Sequence, residues 1–256
     1  MVDLLRAEEI TVSFGGVRAN DGVSLTCPEG SITALIGPNG AGKSVFFDAV
    51  SGARHPASGR VHFAGHDMTG RPMHERARLG MARTFQTASV VEEMSVLDNV
   101  VLGAARFRRY GFGAAVCGLR RVRACDRRLA TIAGRALTVV GLRDAAALPA
   151  AMLPYGHRRR LEIARALALG PRLLMLDEPA AGMDSDETAE LAGLMRKLRD
   201  SWGLTILVVE HDVGFIRSVA DYISVLNFGR VLAAGDGPTV LGDPKVVEAY
   251  LGVQHA

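Results

Sequence analysis

The fold of this 256-residue chain is decided by one stretch, Gly37-Pro38-Asn39-Gly40-Ala41-Gly42-Lys43-Ser44. An apolar run precedes it over residues 32–36, and a second apolar run begins at Val45. This order predicts a buried strand, a glycine turn and a helix. The spacing G-x-x-x-x-G-K-S is typical of a phosphate-binding loop, because glycines let backbone N–H groups approach phosphate oxygens at the start of a helix. We therefore predict a nucleotide site formed by residues 37–45.

Two side chains of this loop predict its chemistry. Lys43 can reach the outer phosphates of a nucleotide, and the hydroxyl of Ser44 can bind Mg²⁺. The alternative is an ordinary glycine-rich turn, since the chain contains 29 glycines. Lysine is scarce, however, because only Lys43, Lys197 and Lys245 occur among 30 basic residues. A lysine in such an arginine-rich chain indicates that a compact point charge is needed there.

A second motif follows the continuous apolar run at residues 173–176, which predicts a strand buried on both faces. The run ends in Asp177 and Glu178, and Pro179 then stops the strand. Side chains alternate along a strand, so the two carboxylates have different surroundings. One can bind Mg²⁺ while the other orients an attacking water. The alternative is a charged strand end without a chemical role.

Three further residues are candidates for the nucleotide site because of their positions at the ends of predicted strands. His211 follows the apolar run 205–209, which predicts another buried strand whose end meets the same crevice. Gln86 ends a predicted strand over 80–86. Phe14 closes the first predicted strand, 10–13, where an exposed ring could stack on adenine. A core position for Phe14 is an equal alternative.

Composition excludes several classes of protein. The apolar runs are of strand length and too short to span a bilayer, and the N-terminal residues lack the apolar core of a signal peptide. Cys27, Cys117 and Cys125 form no C-x-x-C pair, which predicts neither a disulfide nor a zinc site. We therefore expect a cytoplasmic protein. A net charge of +3 is ordinary for a mildly basic soluble chain.

The character of the sequence changes between residues 90 and 140, where helical periodicity predicts a helical insertion. Arginines cluster within it, at Arg106, Arg108, Arg109, Arg120, Arg121, Arg123, Arg127 and Arg128. They could bind nucleic acid, lipid headgroups or a protein partner, although a solvated helix face is the more usual explanation. No aromatic platform or nucleic-acid signature accompanies them, so we expect no nucleic-acid partner.

Taken together, these motifs resemble the ATP-binding subunit of ABC transporters over essentially the whole chain. The resemblance implies an α/β fold: a P-loop NTPase core with an N-terminal antiparallel β subdomain and an inserted α-helical subdomain. It implies a single cassette over 1–256. Residues 1–89 and 171–256 would form the nucleotide-binding core with its β subdomain, and residues 90–170 the helical subdomain with the signature motif.

The resemblance also implies roles for the candidate residues. Residues 37–44 look like the Walker A motif, with Lys43 on the phosphates and Ser44 on Mg²⁺. Residues 173–178 look like Walker B, with Asp177 on Mg²⁺ and Glu178 as the catalytic carboxylate.

Four more positions match family motifs. Gln86 resembles the Q-loop glutamine, which senses Mg²⁺ and the transmembrane partner. Asp184 occupies the D-loop position. His211 resembles the switch histidine that contacts the γ-phosphate, and Phe14 the aromatic residue that stacks on adenine.

The signature motif departs from the usual L-S-G-G-Q, because the chain has Leu153-Pro154-Tyr155-Gly156-His157 at this place. Pro154 offers neither a hydroxyl nor a backbone N–H to a γ-phosphate held by an opposite subunit. The N–H of Gly156 and the dipole of a helix predicted from His157 onward remain. This departure implies slower hydrolysis or weaker dimerisation. The sequence L-P-Y-G, however, resembles the branched-chain (hydrophobic) amino acid uptake branch of the family.

That branch implies an ATP-hydrolysing importer subunit on the cytoplasmic face of the membrane, with ATP and Mg²⁺ as cofactors. The implied partners are a second ATP-binding subunit, identical or related, and transmembrane permease subunits. An extracytoplasmic solute-binding protein would act indirectly. The alternatives are the ATPase of a lipid or lipopolysaccharide exporter, and a soluble ABC-type ATPase or regulator. The residues that choose the cargo lie in other subunits.

Overall fold

A computed structural model of the protein describes residues 2–84, 90–107 and 120–251. The chain forms two compact units. The core unit consists of the residues up to 83 and those from 172 onward, and the helical unit consists of residues 84–171.

The core unit contains an antiparallel sheet with the order β2-β1-β4-β5. Its strands are β1 (Asp3–Phe14), β2 (Val17–Pro28), β4 (Ser58–Phe63) and β5 (His66–Asp67). The strand predicted over 10–13 lies within β1, but its predicted start was wrong, since β1 begins at Asp3. Glu9 has a left-handed φ of 51°, and the register shifts between Ala7 and Ile10. This bulge interrupts the alternation of side chains along β1 just before residue 10.

A second sheet of the core unit carries the predicted motifs. Its order is β10-β9-β3-β8-β7-β6, and only β10 runs antiparallel to its neighbour. The strands are β3 (Ile32–Ile36), β6 (Met81–Arg83), β7 (Leu173–Asp177), β8 (Thr205–Val209), β9 (Tyr222–Asn227) and β10 (Arg230–Asp236). Every residue of β3, β7 and β8 is buried, which explains their continuous apolar sequences. Their carboxyl ends lie at one edge of the sheet.

The helices complete both units. In chain order they are α1 (Lys43–Ser51), α2 (Met73–Arg78), α3 (Val96–Gly103), α4 (Arg120–Val139), α5 (Tyr155–Ala168), α6 (Ser185–Trp202), α7 (Val213–Val219), α8 (Gly237–Leu241) and α9 (Pro244–Leu251). Short 3₁₀ turns occur at Ala104–Phe107 and Ala150–Met152. Across the described ranges, none of the helices combines the length and apolar character that a membrane crossing requires.

The helical unit has its own core, because α3, α4 and α5 pack against one another. Each helix buries an apolar stripe. The buried side chains include Val96 and Val100 of α3, Leu129 and Leu137 of α4, and Leu161 of α5. Helical spacing of apolar residues therefore predicts this unit well.

A buried arginine anchors the far end of α1, the helix that begins in the glycine loop. The Arg76 side chain is fully buried and donates to the carbonyls of Ala49 (3.2 Å) and Val50, both in the last turn of α1. It also donates to the carbonyls of Arg71 (3.0 Å) and Met68 (2.9 Å). Burial lowers the pKa of Arg76 to about 10, so the side chain stays protonated at neutral pH. Its positive charge also complements the negative end of the helix dipole.

Replacing this guanidinium should destabilise the protein strongly. In Arg76→Met several buried carbonyls lose their donors, and we expect the free energy of unfolding to fall by about 3 kcal/mol or more. Urea unfolding followed by circular dichroism measures the change. The control is Arg78→Met, an exposed position on the same helix, where we expect a change of about 0.5 kcal/mol at most. Equal losses in the two variants would contradict the anchoring role of Arg76.

Candidate nucleotide-binding site

The loop between β3 and α1 is held in place by glycines at close backbone contacts. Gly37 has a φ of 151° and Gly42 a φ of 97°. A Cβ atom added to Gly37 would lie 2.1 Å from the carbonyl oxygen of Leu226, and one added to Gly42 would lie 2.3 Å from that of Ala19. Larger residues therefore cannot occupy these positions without moving the backbone. The loop is fixed between the end of β9 and strand β2.

Lys43 lies inside this loop, with 6% of the residue exposed. Its ammonium donates to the carbonyls of Gly37 (2.7 Å) and Pro38 (3.0 Å). Burial lowers the pKa of Lys43, and the negative charges of nearby carboxylates oppose that effect. Those carboxylates belong to Glu178, Glu210 and Asp177. Next to it, Ser44 is exposed in the first turn of α1. The predicted phosphate ligands therefore lie close to a group of carboxylates.

Asp177 ends β7 with one carboxylate oxygen paired and the other free. Its Oδ2 accepts a hydrogen bond of 3.1 Å from Arg83, whereas Oδ1 is buried and has no hydrogen-bond partner among the described residues. The residue is 3% exposed, and burial raises the pKa of its carboxyl while Arg83 opposes the rise. A buried polar atom of this kind calls for an explanation, and a bound water or ion is one. A hydrated Mg²⁺ fits this carboxylate oxygen, since Mg²⁺ prefers oxygen ligands and keeps several waters.

Arg83 was missed by the sequence analysis. Its guanidinium bridges Asp177 to α1, because it also donates to Asp48 Oδ1 (2.6 Å) and Ser51 Oγ (2.8 Å). It lies over the ring of Phe47, 4.8 Å from the centroid. The side chain is 8% exposed. A charged residue on the short, largely buried strand β6 was the available signal, but its partners lie 35 and 94 positions away along the chain.

Glu178 follows directly in an unusual backbone conformation. Its φ is 46°, in the left-handed region that residues with a Cβ atom seldom adopt. The N–H of Glu178 donates to the carbonyl of Val209 at 2.9 Å, which holds the residue beside the end of β8. The residue is half-buried. Strain of this kind is often found at functional sites.

Glu210 is a second residue that the sequence analysis passed over. It is fully buried, and its carboxylate accepts from the N–H of Ala180 (2.8 Å) and of His211 (3.1 Å). Burial raises the pKa of Glu210, and these hydrogen bonds oppose the rise. Nδ1 of His211 lies 3.6 Å from the carboxylate, while its side chain is 56% exposed. Glu210 thus joins the ends of β7 and β8 and holds the backbone at His211.

Two other residues with predicted roles at the site lie in the core unit. Asp184 is the N-cap of α6, where its side chain accepts from the N–H groups of Asp186 and Glu187 in a capping box. Phe14 is 41% exposed at the end of β1, and the guanidinium of Arg54 lies 4.4 Å from its ring centroid. The core position considered for Phe14 is therefore wrong.

In the helical unit, the signature segment is held by Arg158. Its guanidinium donates to the carbonyls of Leu153 (3.0 Å) and Ala151 (2.7 Å) and pairs with Glu92 (3.1 Å). Pro154 is the N-cap of α5. The helix begins one residue later, so the predicted start at His157 was wrong.

Pro154 explains the earlier start, because the residue before the first helical turn needs no N–H and the proline ring fixes its φ, here at −56°. Within the segment, Leu153 and Gly156 are buried, His157 is half-buried and Tyr155 is 49% exposed. Gln86 lies outside the described residues.

A cavity of about 700 Å³ lies next to the glycine loop. It is lined by residues 38–41, by Asn227 and Phe228 between β9 and β10, by Leu232, and by Lys245, Glu248 and Ala249 of α9. Lys43, Ser44 and Glu178 are not part of its lining. The cavity therefore shares residues 38–41 with the glycine loop but does not include the side chains of Lys43, Ser44 and Glu178.

The protein resembles known proteins over nearly its whole length. A family profile described as ABC transporter matches residues 20–181. The branched-chain amino acid transport ATP-binding protein BraF of Pseudomonas aeruginosa is 38% identical over 97% of this chain and 98% of that protein. LivG of Escherichia coli K12, with the same description, is 36% identical over 97% of this chain and 98% of that protein.

Solved structures agree with these relatives. The ADP conformation of an ATP-binding cassette of an ABC transporter has a TM-score of 0.85 and 30% identity, covering 98% of this chain and 100% of that one. A nucleotide-free ATP-binding cassette from an ABC transporter has a TM-score of 0.84 and 30% identity, covering 97% of this chain and 99% of that one. The predicted α/β cassette fold is thereby confirmed. The glycine loop, the acidic strand end and these matches together show that the chain belongs to the ABC transporter family.

Proposed function

We propose that this protein is the ATP-hydrolysing subunit of an ABC importer for branched-chain or other hydrophobic amino acids. The observation that carries the proposal is the position of Lys43, buried in the glycine loop within the field of Asp177, Glu178 and Glu210. The cargo is inferred from the described transport role of BraF and LivG. These relatives favour the amino-acid importer over a lipopolysaccharide exporter and over a soluble ATPase.

The nucleotide would be held mainly by the backbone of residues 37–45. Lys43 already donates to carbonyls of its own loop, so phosphate oxygens can replace these acceptors with little movement. Phe14 offers an exposed ring for adenine at the end of β1. The positive end of α1 adds to the attraction for phosphate.

Mg²⁺ would be held by Ser44, Asp177 through water, and Gln86, and when bound it would neutralise charge that develops on the phosphates. Arg83 supports this set as a positioning residue. It occupies one oxygen of Asp177 and leaves the other free. The same guanidinium fixes α1, which carries Ser44.

Glu178 would orient the attacking water and accept its proton, while His211 would contact the γ-phosphate. The left-handed backbone of Glu178 directs its side chain away from the path of an ordinary strand. Glu210 holds the N–H of His211 and the segment after Glu178 together. Catalysis of this kind depends on position and electrostatics.

The complete site would need a second ATP-binding subunit, identical or related. Each ATP would lie between residues 37–45 of one subunit and residues 153–157 of the other, near Asp184 in the D-loop. Closure would move transmembrane permease subunits through the region around Gln86, and a solute-binding protein would deliver the cargo outside. We place the subunit on the cytoplasmic face of the membrane. Residues 90–170 would be the helical subdomain, and 1–89 with 171–256 the nucleotide-binding core.

Removing the charge of Glu178 should stop turnover without preventing binding. In Glu178→Gln we expect ATP hydrolysis to fall by about a hundredfold or more, because the general base is lost. ATP affinity should stay within about threefold, and ATP should promote a stable dimer in size-exclusion chromatography. Glu93→Gln, at an exposed position of the helical unit, is the control. Normal turnover in Glu178→Gln would refute the assignment.

Replacing Arg83 should weaken the response to Mg²⁺. In Arg83→Met the carboxylate of Asp177 is no longer oriented, and we expect the Mg²⁺ concentration for half-maximal stimulation of ATP binding to rise about tenfold or more. ATP binding in the presence of a chelator should change little. Arg83→Lys should recover part of the effect, and Arg172→Met, at an exposed ion pair with Glu29, should have none. An unchanged Mg²⁺ dependence in Arg83→Met would show that Arg83 only stabilises the fold.

A further inference from the structure

The charge of the protein is divided unequally between its two units. Residues 84–171 contain fourteen arginines and no lysine against six carboxylates, a net charge of +8. Because the whole chain carries +3, the core unit has a net charge of −5. A mild overall charge therefore hides a strongly basic helical unit. Such an asymmetry indicates an anionic partner for the basic part.

The positive charge is concentrated on one face of α4. Five exposed arginines lie on a single arc of this helix: Arg120, Arg123, Arg127, Arg128 and Arg135. We call these five residues the arginine stripe. The opposite face is buried against the rest of the helical unit, with Val122, Leu129, Ala133, Ala136 and Leu137 each at most 8% exposed. Packing therefore fixes which way the stripe faces.

The arginine stripe is without a carboxylate partner in the part of the chain that the structure describes. Across the ranges that the structure describes, none of its five guanidiniums forms a salt bridge with a carboxylate, whereas Arg158 and Arg159 of α5 do. Asp126 is the only acidic residue in the sequence of α4. Among the described residues, internal ion pairs therefore do not account for the five arginines of the stripe. The stripe is available to an external anion.

The geometry favours an extended array of phosphates. From Arg120 to Arg135 the stripe is about 22 Å long, at 1.5 Å per residue. Guanidinium groups bind phosphate oxygens in pairs, which lysine does not do as well. Alanine and threonine are interspersed among the arginines, at Ala124, Ala130, Thr131 and Thr138. An exposed aromatic residue, which single-stranded nucleic acid would need for base stacking, does not occur in α4.

We propose that the arginine stripe of α4 binds the anionic phospholipid headgroups of the membrane in which the transporter works. The choice of a membrane over another polyanion rests on the proposed transport function. The interaction is electrostatic, since the apolar face of α4 is already buried in the protein. It would hold the helical unit at the membrane surface independently of ATP. Each arginine near an anionic bilayer strengthens the attraction, and salt weakens it.

Co-sedimentation of the full chain with vesicles tests this proposal. We expect the wild-type protein to bind vesicles that contain phosphatidylglycerol at low salt, to dissociate at high salt, and to ignore vesicles of phosphatidylcholine alone. The triple variant Arg123→Gln, Arg127→Gln, Arg128→Gln should bind at least about tenfold more weakly. The matched control neutralises three exposed arginines of the core unit, Arg60, Arg78 and Arg217, and should bind like the wild type.

Three results would overturn the proposal. They are no binding of the wild type to anionic vesicles at low salt, equal losses in the two triple variants, and tighter binding of the wild type to an oligonucleotide than to the vesicles. ATP binding is measured on the same samples. Because the stripe belongs to the helical unit and includes no residue of the phosphate loop, ATP affinity should be unchanged in both variants. Loss of vesicle binding with ATP binding intact separates a failure of this proposal from a failure of the proposed function.

Discussion

The site depends on two close backbone contacts of the glycine loop. Gly37 lies against the carbonyl of Leu226 and Gly42 against that of Ala19, at distances that leave no room for a Cβ atom. These contacts fix the loop between elements that are distant in sequence. Lys43 can then stay buried on the carbonyls of its own loop, close to three carboxylates. An unconstrained loop would not hold an ammonium group in this way.

The buried charges around the loop balance one another. Lys43 and Arg83 are positive, and Asp177 and Glu210 are negative with pKa values raised by burial. Of the carboxylate oxygens of Asp177 and Glu210, Asp177 Oδ1 is the one that is buried without a hydrogen-bond partner among the residues that the structure describes. Burying a charge is costly unless it is paired, so this remaining oxygen is the part of the network that calls for an external ligand. This oxygen links the fold to the proposed Mg²⁺ and nucleotide.

The motifs of the site could be recognised in the sequence because each is a contiguous stretch of residues. The glycine loop and the acidic end of β7 are contiguous, and buried parallel strands have continuous apolar sequences. The arginines that hold the site together were not readable. Arg76 donates to the carbonyl of Val50, 26 residues away along the chain, and Arg83 donates to Asp177, 94 residues away. Only the fold brings these partners together. No local pattern distinguishes them from solvated arginines.

Local rules failed at particular places for physical reasons. The bulge at Glu9 interrupts the alternation of β1, and Pro154 caps α5 so that the helix begins at Tyr155 and not at the predicted His157. The unequal charge of the two units was hidden by a total of +3, since the basic excess of one unit is offset by the acidic excess of the other. Dividing the chain correctly was needed before its electrostatics could be interpreted.

The most direct test of the central claim is calorimetric titration of the purified chain with ATP in the presence of Mg²⁺. The account predicts saturable binding that weakens by about tenfold to a hundredfold in Lys43→Met, since a charged hydrogen-bond donor is lost, and that is unaffected in Lys197→Met at an exposed position of α6. An absence of affinity for Mg²⁺ and ATP, or an affinity unchanged by Lys43→Met, would contradict it.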